Sequence, residues 1–396
     1  MDSFIYALVL APAMRDLLPA SGKTATAANL GYYGGLLFAV FLVGWGCAFI
    51  WGPIADRFGR VRTLTFTILC YSAFTFLGCA ATSIWMLGLF RFLSGIGIGG
   101  EWTLGGILVA EEWPENRRVQ GAAWMHTGYY FGFFIAAIIN YVIGSRYGWR
   151  AMFAVGGAPA MLVAFIRYGV REPERWKHAK KSKPTRAFVQ LFSREYRTRT
   201  MLNALLLLIA MIGLWAGSVY VPGAVSQIAG REGYSAAQTA RMASWAAMLL
   251  SVGTILGCLM VPFLANRLGR RGAVAFFFTL MGVSVAEAFG YAFYLPRGAL
   301  FAFIASLFFV GIGGASFCVF TLWLPEQYRT ECRASAFAFA TSSGRFVAAG
   351  ITFLVGAGIS RYGSIGVPVA ITSAAFFLGL ILLPWGEETQ GKGLPA

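Results

Sequence analysis

The sequence predicts an all-α membrane protein of twelve transmembrane helices arranged as two six-helix bundles. Of its 396 residues, 58% are hydrophobic and 12% charged, with a mean hydropathy of +0.67, which leaves too little polar surface for a soluble domain of this length. Apolar stretches of about 20 residues, enough to cross a hydrocarbon core of roughly 30 Å, recur along the chain. A two-part hydrophilic signature also occurs twice. Asp56-Arg57-Phe58-Gly59-Arg60 is followed by Pro114-Glu115-Asn116-Arg117-Arg118, and Asn266-Arg267-Leu268-Gly269-Arg270 by Pro325-Glu326-Gln327-Tyr328-Arg329, at offsets of 210 and 211 residues. The chain therefore reads as a parallel duplication of one bundle.

Taken in order, the first segment is the short one. Residues 1–14 are apolar apart from Asp2 and reach only about 20 Å as a helix. An unfinished first helix would leave backbone groups unsatisfied in lipid, so an upstream segment is expected. Eleven further spans are expected at 31–54, 64–81, 84–110, 120–144, 151–169, 200–228, 242–265, 273–295, 299–324, 334–359 and 365–384, each apolar over about a bilayer thickness. Residues 167–199 carry eleven basic residues with Pro173 and Pro184. They read as a linker with some attraction to anionic lipid. The expected division is a first bundle over 1–166, a linker over 167–198, a second bundle over 199–386 and a tail over 387–396.

Charge sets the orientation. With the amino terminus inside, 22 Lys and Arg fall in inner loops and the tail, 8 in outer loops, and only Arg91 and Arg345 within spans. The positive-inside rule then places both termini in the cytoplasm. The net charge of +16 is spread over short loops rather than one face, so no nucleic-acid partner is expected. His126 and His178 are the only histidines, no His-x-x-x-His or Cys-x-x-Cys occurs, and neither a metal nor another cofactor is expected. The six cysteines lie in apolar segments or in a loop placed inside, which predicts free thiols. No Ser-His, His-Glu-x-x-His or paired-Asp motif suggests an enzyme.

At this point the motifs resemble a family. Gly52-Pro53-Ile54-Ala55-Asp56-Arg57-Phe58-Gly59-Arg60-Val61-Arg62 resembles the hallmark loop of the major facilitator superfamily, and Arg91-Phe92-Leu93-Ser94-Gly95-Ile96-Gly97-Ile98-Gly99-Gly100-Glu101-Trp102 resembles its fourth-span motif. Arg171-Glu172-Pro173-Glu174-Arg175-Trp176 is similar to the element that follows the sixth span in its symporter branches. Within the family, the segments from Met1 to Leu8 and from Gly99 to Pro114 look most like sialate, lactate and related metabolite:proton symporters. Asn266 stands where the second hallmark loop usually has an aspartate. Gly128 and Gly132 are not followed by the proline of drug exporters, which points away from efflux. The resemblance implies the major facilitator fold and alternating access. It also implies a first-span carboxylate, Asp2, paired with Arg91, and a charge latch that holds the outward-open state.

Charged groups in the spans are the sharpest functional signal, because Arg or Asp at mid-helix costs roughly 2.5–3.5 kcal/mol or more unless it meets a cavity or a partner. Arg345 stands about 15 Å into its span, without an acidic residue in that span, and offers a planar fork suited to a carboxylate. It is expected to receive the substrate. Asp2, Arg91 and Glu101 are candidates for proton coupling; the Asp2–Arg91 pair can equally be a fixed structural ion pair. His126 falls at a depth similar to Glu101, so the two can be partners in a relay or a structural bridge. Glu287 reads as structural. Trp102, Tyr129 and Tyr220 are expected among the aromatics that meet substrate, with Tyr32, Tyr33, Tyr130, Trp215 and Trp323 as further cavity or packing residues. Asp56, Arg57, Gly59, Arg60, Glu115, Arg118, Arg267, Glu326 and Arg329 are expected to form the latch.

The sequence thus reads as a monomeric transporter in the inner membrane of a bacterium, taking up a small organic anion with protons. Uptake of a sugar or another neutral metabolite is the alternative within transport. A non-transporting nutrient sensor on the same fold is the alternative of another class.

Overall fold

The computed structural model describes residues 2–161, 163, 169, 172 and 187–395. The linker expected at 167–198 and the second half of the span expected at 151–169 lie mostly outside the described residues. So do the side chains of Asp2, Asp56, Arg57 and Trp215.

The chain is built of helices, and no strand occurs among the described residues. In the first half, α1 (Asp2–Ala20) precedes α2 (Ala27–Gly46), which continues through a tight turn into α3 (Trp51–Phe58); α4 (Arg60–Leu77), α5 (Ile84–Glu112), α6 (Arg118–Ile139) and α7 (Ser145–Val155) follow. The second half contains α8 (Arg197–Val219), α9 (Val221–Arg231), α10 (Ala236–Arg267), α11 (Gly269–Gly290), α12 (Ala299–Gly314), α13 (Ser316–Trp323), α14 (Thr330–Tyr362), α15 (Gly366–Ile371) and α16 (Ala374–Leu382). Nine helical segments among the described residues are long and apolar enough to cross a bilayer.

Several expected limits move, each for a local reason. α1 runs past Met14 to Ala20, about 28 Å rather than 20 Å, because Arg15 and Asp16 stand in its last turns and Asp16 is ion-paired with Arg150 of α7. The single span expected at 200–228 is broken at Tyr220 between α8 and α9, since Pro222 cannot donate to the preceding turn. The segment 299–324 divides at Ala315, after Gly313 and Gly314. The segments 120–144 and 151–169 are joined through a widened turn at Asn140–Gly144, and the bend falls at Gly148, where φ is +79°.

Close helix crossings inside each half repeat the duplication in three dimensions. α2 packs on α5, and α10 on α12. A Cβ on Gly44 would stand 2.1 Å from the Phe92 carbonyl oxygen, and one on Gly95 2.4 Å from that of Phe41. In the second half, a Cβ on Gly253 would stand 2.2 Å from the Phe308 oxygen, and one on Gly311 2.2 Å from that of Leu250. Backbone lies on backbone at both crossings, the small-residue packing that replaces the hydrophobic effect in lipid.

The two halves join chiefly through two pairings, α2 with α14 and α6 with α10. These are one interface read from either side, because α10 repeats α2 and α14 repeats α6. Replacing Gly253 with Ala is expected to cost about 1–3 kcal/mol by overpacking, and the melting temperature of the detergent-solubilised protein checks it. Gly350→Ala, where no atom lies within 4 Å of the added carbon, is expected to leave that temperature unchanged.

Candidate functional site: a buried arginine between the halves

Arg345 lies halfway along α14 and is 2% exposed. Its guanidinium carbon stands 4.2 Å from the ring centre of Trp45 on α2 and 5.0 Å from that of Trp102 on α5. Nη1 donates to the Thr341 carbonyl one turn earlier, and Nε has no hydrogen-bond partner among the described residues. No Asp or Glu forms an ion pair with it among the described residues. Two indole faces and a carbonyl therefore hold the cation, leaving part of its fork unused.

A small cavity of about 20 Å³, lined by Trp45, Trp102, His126, Tyr129, Phe317 and Arg345 among others, lies at this point. It has room for about one water. His126 is buried, stands edge-on to Trp102 at 6.2 Å, and its Nε2 is 3.4 Å from Thr321 Oγ1 on α13. The partner shown for the imidazole among the described residues is Thr321, across the join. Towards the end opposite the repeated loops the halves part around a much larger cavity, of about 640 Å³, walled by α1, α2, α8, α9, α10 and α14. Tyr220 belongs to that wall rather than to the arginine cavity, its hydroxyl donating to the Thr352 carbonyl at 2.9 Å.

Of the expected substrate residues, the fold brings together Arg345, His126, Trp102 and Tyr129. Tyr130 also lines the small cavity. Trp45, Phe317 and Thr321 were not singled out by the sequence. Trp45 between Gly44 and Gly46 carried a signal, a bulky ring where its neighbours allow close approach. Phe317 is one of 35 phenylalanines, and nothing in its context marks it. Trp323 is fully buried elsewhere, its Nε1 donating to the Glu387 carbonyl at 2.7 Å. Tyr32 is 53% exposed.

For proton coupling, Arg91 is 1% exposed and lies over Phe41 at 4.0 Å and Tyr6 at 5.1 Å. Asp2 is in α1, but its side chain is outside those described. Glu101 is part-buried one residue before Trp102. Glu287 is exposed one turn from the end of α11, its carbonyl accepting from Tyr291 N–H at 3.0 Å, so it stands at a helix terminus rather than at mid-membrane.

The repeated loops are organised by two carboxylates outside the expected set. Gly59 and Gly269 have φ of +117° and +76°, a region that favours glycine. Each ends one helix and opens the next. Glu172 accepts hydrogen bonds from Arg60 N at 2.7 Å and from Val61 N and Arg62 N at 3.1 Å. Glu388 accepts them from Arg270 N at 2.9 Å and Arg271 N at 3.1 Å. A carboxylate at a helix N-terminus satisfies orphan donors and opposes the positive dipole end. Both acids follow the last expected span of their half, so the duplication extends beyond the hallmark loops.

The latch residues assemble differently in the two halves. Arg270 grips Glu326 through two hydrogen bonds, of 3.0 and 2.9 Å, in a buried fork. Its counterpart Arg60 lies 3.8 Å from Glu111 rather than meeting Glu115, because Glu111 is on the buried face of α5, whereas Glu115 lies past Pro114 in the open. Glu115 pairs locally with Arg118 at 3.3 Å. Arg267 stacks on Phe263 of its own helix at 4.5 Å, and Arg329 is exposed at the start of α14. Neither joins an ion pair among the described residues.

Comparison with known proteins agrees with this architecture. The Major Facilitator Superfamily profile matches residues 1–352, and the chain belongs to that family. Relatives include a niacin transporter of Acinetobacter baylyi, 25% identical over 100% of this chain and 92% of that protein. Others are a cis,cis-muconate transport protein of the same organism (26%; 93% and 87%) and a sialic acid transporter of Escherichia coli (26%; 86% and 81%). The proton:xylose symporter XylE bound to 6-bromo-6-deoxy-D-glucose superposes with a TM-score of 0.78 at 16% identity, covering 99% of this chain and 94% of the other. The chain is an integral membrane transport protein, not an enzyme.

Two predictions follow from the loop geometry. Glu326→Gln weakens a buried ion pair and is expected to destabilise the protein by about 3 kcal/mol, read as melting temperature in detergent. For Glu388, burial raises the carboxyl pKa, but hydrogen bonds from the N–H groups of Arg270, Arg271, Gln390 and Thr389 bring it below its ordinary value of 4.5. Its stabilisation is therefore present above about pH 5 and lost as pH falls through the lowered value. Glu388→Gln is expected to cost about 1 kcal/mol at pH 7, and the difference from wild type is expected to shrink as melting is repeated at pH values falling below 4.5.

Proposed function

We propose that this protein takes up a small monocarboxylate together with protons by alternating access. The observation that carries the reading is Arg345: a guanidinium at the join of the halves, beside a cavity, held by aromatic faces and without a carboxylate partner among the described residues. Keeping a cation there costs free energy, and an incoming carboxylate offsets it with charge-assisted hydrogen bonds to the unused part of the fork. His126, Trp102 and Tyr129 complete the site. Relatives named for niacin, muconate and sialic acid are named for carboxylic acids, muconate with two carboxylates and the others with one, and support an organic anion as substrate.

In this reading the repeated loops and both termini are cytoplasmic, in the inner membrane of a bacterium, and the larger cavity faces outward. Residues 1–166 and 199–386 are the rocking units of a monomer, linked by 167–198 and followed by the tail 387–396. Asp2, Arg91 and Glu101 carry the proton. The latch comprises Asp56, Arg57, Gly59, Arg60, Glu115, Arg118, Arg267, Glu326 and Arg329, and the ion pairs of Arg60 and Arg270 hold the cytoplasmic end shut.

Counterflow in proteoliposomes with labelled nicotinate, cis,cis-muconate, sialate, lactate and xylose tests the substrate class. Carboxylates are expected to exchange and xylose is not. Arg345→Ala is expected to lower kcat/KM for the carboxylate about 100-fold, the loss of roughly 2.7 kcal/mol in a buried charge-assisted contact. Arg345→Lys is expected to recover only part of it, because a point charge cannot present the fork. Normal carboxylate transport by both variants removes Arg345 from the site, and inhibition by sugars alone favours a neutral substrate. An imposed proton gradient that fails to drive accumulation removes proton coupling.

A further inference from the structure

The larger cavity carries one formal charge among its described lining residues, Arg15. Its other polar groups are mostly committed. The hydroxyls of Tyr6, Tyr220, Ser226 and Thr239 donate to the carbonyls of Gly34, Thr352, Pro222 and Ser235 at 2.9–3.1 Å. Arg15, by contrast, makes no ion pair or hydrogen bond among the described residues, and it is exposed.

The adjacent carboxylate does not neutralise it. Asp16 is bound by the Arg150 guanidinium and by Trp149 Nε1 at 3.1 Å, so its charge is matched by a second arginine and the group of three is left with a net positive charge. The same end of the molecule bears eight Lys and Arg against three carboxylates. One of these, Glu232, accepts from Leu300 N–H at 3.2 Å. A concave, mostly apolar wall with a charge of one sign focuses the field into the cavity and raises the local concentration of counter-charged solute.

We infer that Arg15 is the anion-selecting residue of this vestibule, drawing a carboxylate into the wide cavity before it reaches Arg345. The inference rests on the organic-anion reading above. It assigns Arg15 a part in capture, whereas Arg345 holds the bound solute. Arg15 therefore governs the encounter rate and its salt dependence. Substrate turnover is left unchanged.

The test does not need the substrate. Ser226 is exposed on the vestibule wall, and Ser226→Cys introduces a thiol there. Its rate of reaction with the anionic sulfonatoethyl methanethiosulfonate is compared with that for the cationic trimethylammonioethyl reagent, with native Ser226 protein as the blank for the six existing thiols. The anionic-to-cationic rate ratio is expected to exceed that of a small free thiol and to fall about 5-fold on adding Arg15→Gln at low ionic strength. It is expected to be retained in Arg15→Lys, and the difference is expected to vanish in about 0.5 M salt, where screening is short-ranged. An unchanged ratio in Arg15→Gln, or a difference that survives high salt, overturns the inference while leaving the Arg345 reading standing. In the same proteoliposomes, Arg15→Gln is expected to raise the KM for labelled nicotinate about 5-fold at low salt with kcat unchanged. Absence of any carboxylate transport by the wild type ends the anion reading, and with it the selecting role of Arg15, even where the labelling ratio responds.

Discussion

At the closest helix crossings in this molecule no side chain fits between the helix axes. At the crossings of α2 with α5 and of α10 with α12, Gly44, Gly95, Gly253 and Gly311 would each drive a Cβ to within 2.1–2.4 Å of a neighbouring carbonyl oxygen. In a lipid solvent no hydrophobic effect presses helices together, and such contact is a main source of cohesion. Each half is thereby locked internally. What is left between the halves is a shared interface of two related pairings, α2 with α14 and α6 with α10, and two cavities.

The electrostatics follow that division. Ion pairs that hold helix ends, Arg270 with Glu326 and Asp16 with Arg150, lie within a half, where geometry is fixed and a matched charge can be kept. The cation at the join is different. Arg345 belongs to α14 and is held by Trp45 and Trp102 of the other half, through contacts that are weaker and less directional than an ion pair. Motion of one half against the other would change those contacts directly, and a bound anion would change their balance. Under the proposed function, substrate binding and rearrangement of the halves share this one side chain.

The carboxylate caps show how the loops depend on distant sequence. Glu172 and Glu388 each reach back more than a hundred residues to close a helix N-terminus beside a positive-φ glycine. The sequence marked the glycines through their repetition. It did not mark the acids as partners, because a contact across that separation leaves no local pattern. The same limit applies to Arg60, which lies beside Glu111: the repeat offset marked Glu115, and only the burial of one face of α5 brings Glu111 within reach.

The sequence by itself determined the class of molecule, the duplication, most spans and the presence of a lone charge, Arg345, inside its span. These follow from hydropathy, from repeated loops and from the cost of charge in lipid, all of which act along the chain or on one residue at a time. Tertiary structure decided where helices break, at Tyr220, Ala315 and Gly148, and which side chains share a site. Trp45 and Phe317 join Trp102 and His126 around the arginine, Tyr220 moves to the wider cavity, and Thr321 stands beside the imidazole. Those choices depend on the rotation and crossing of helices far apart in sequence, which no periodicity within one segment encodes.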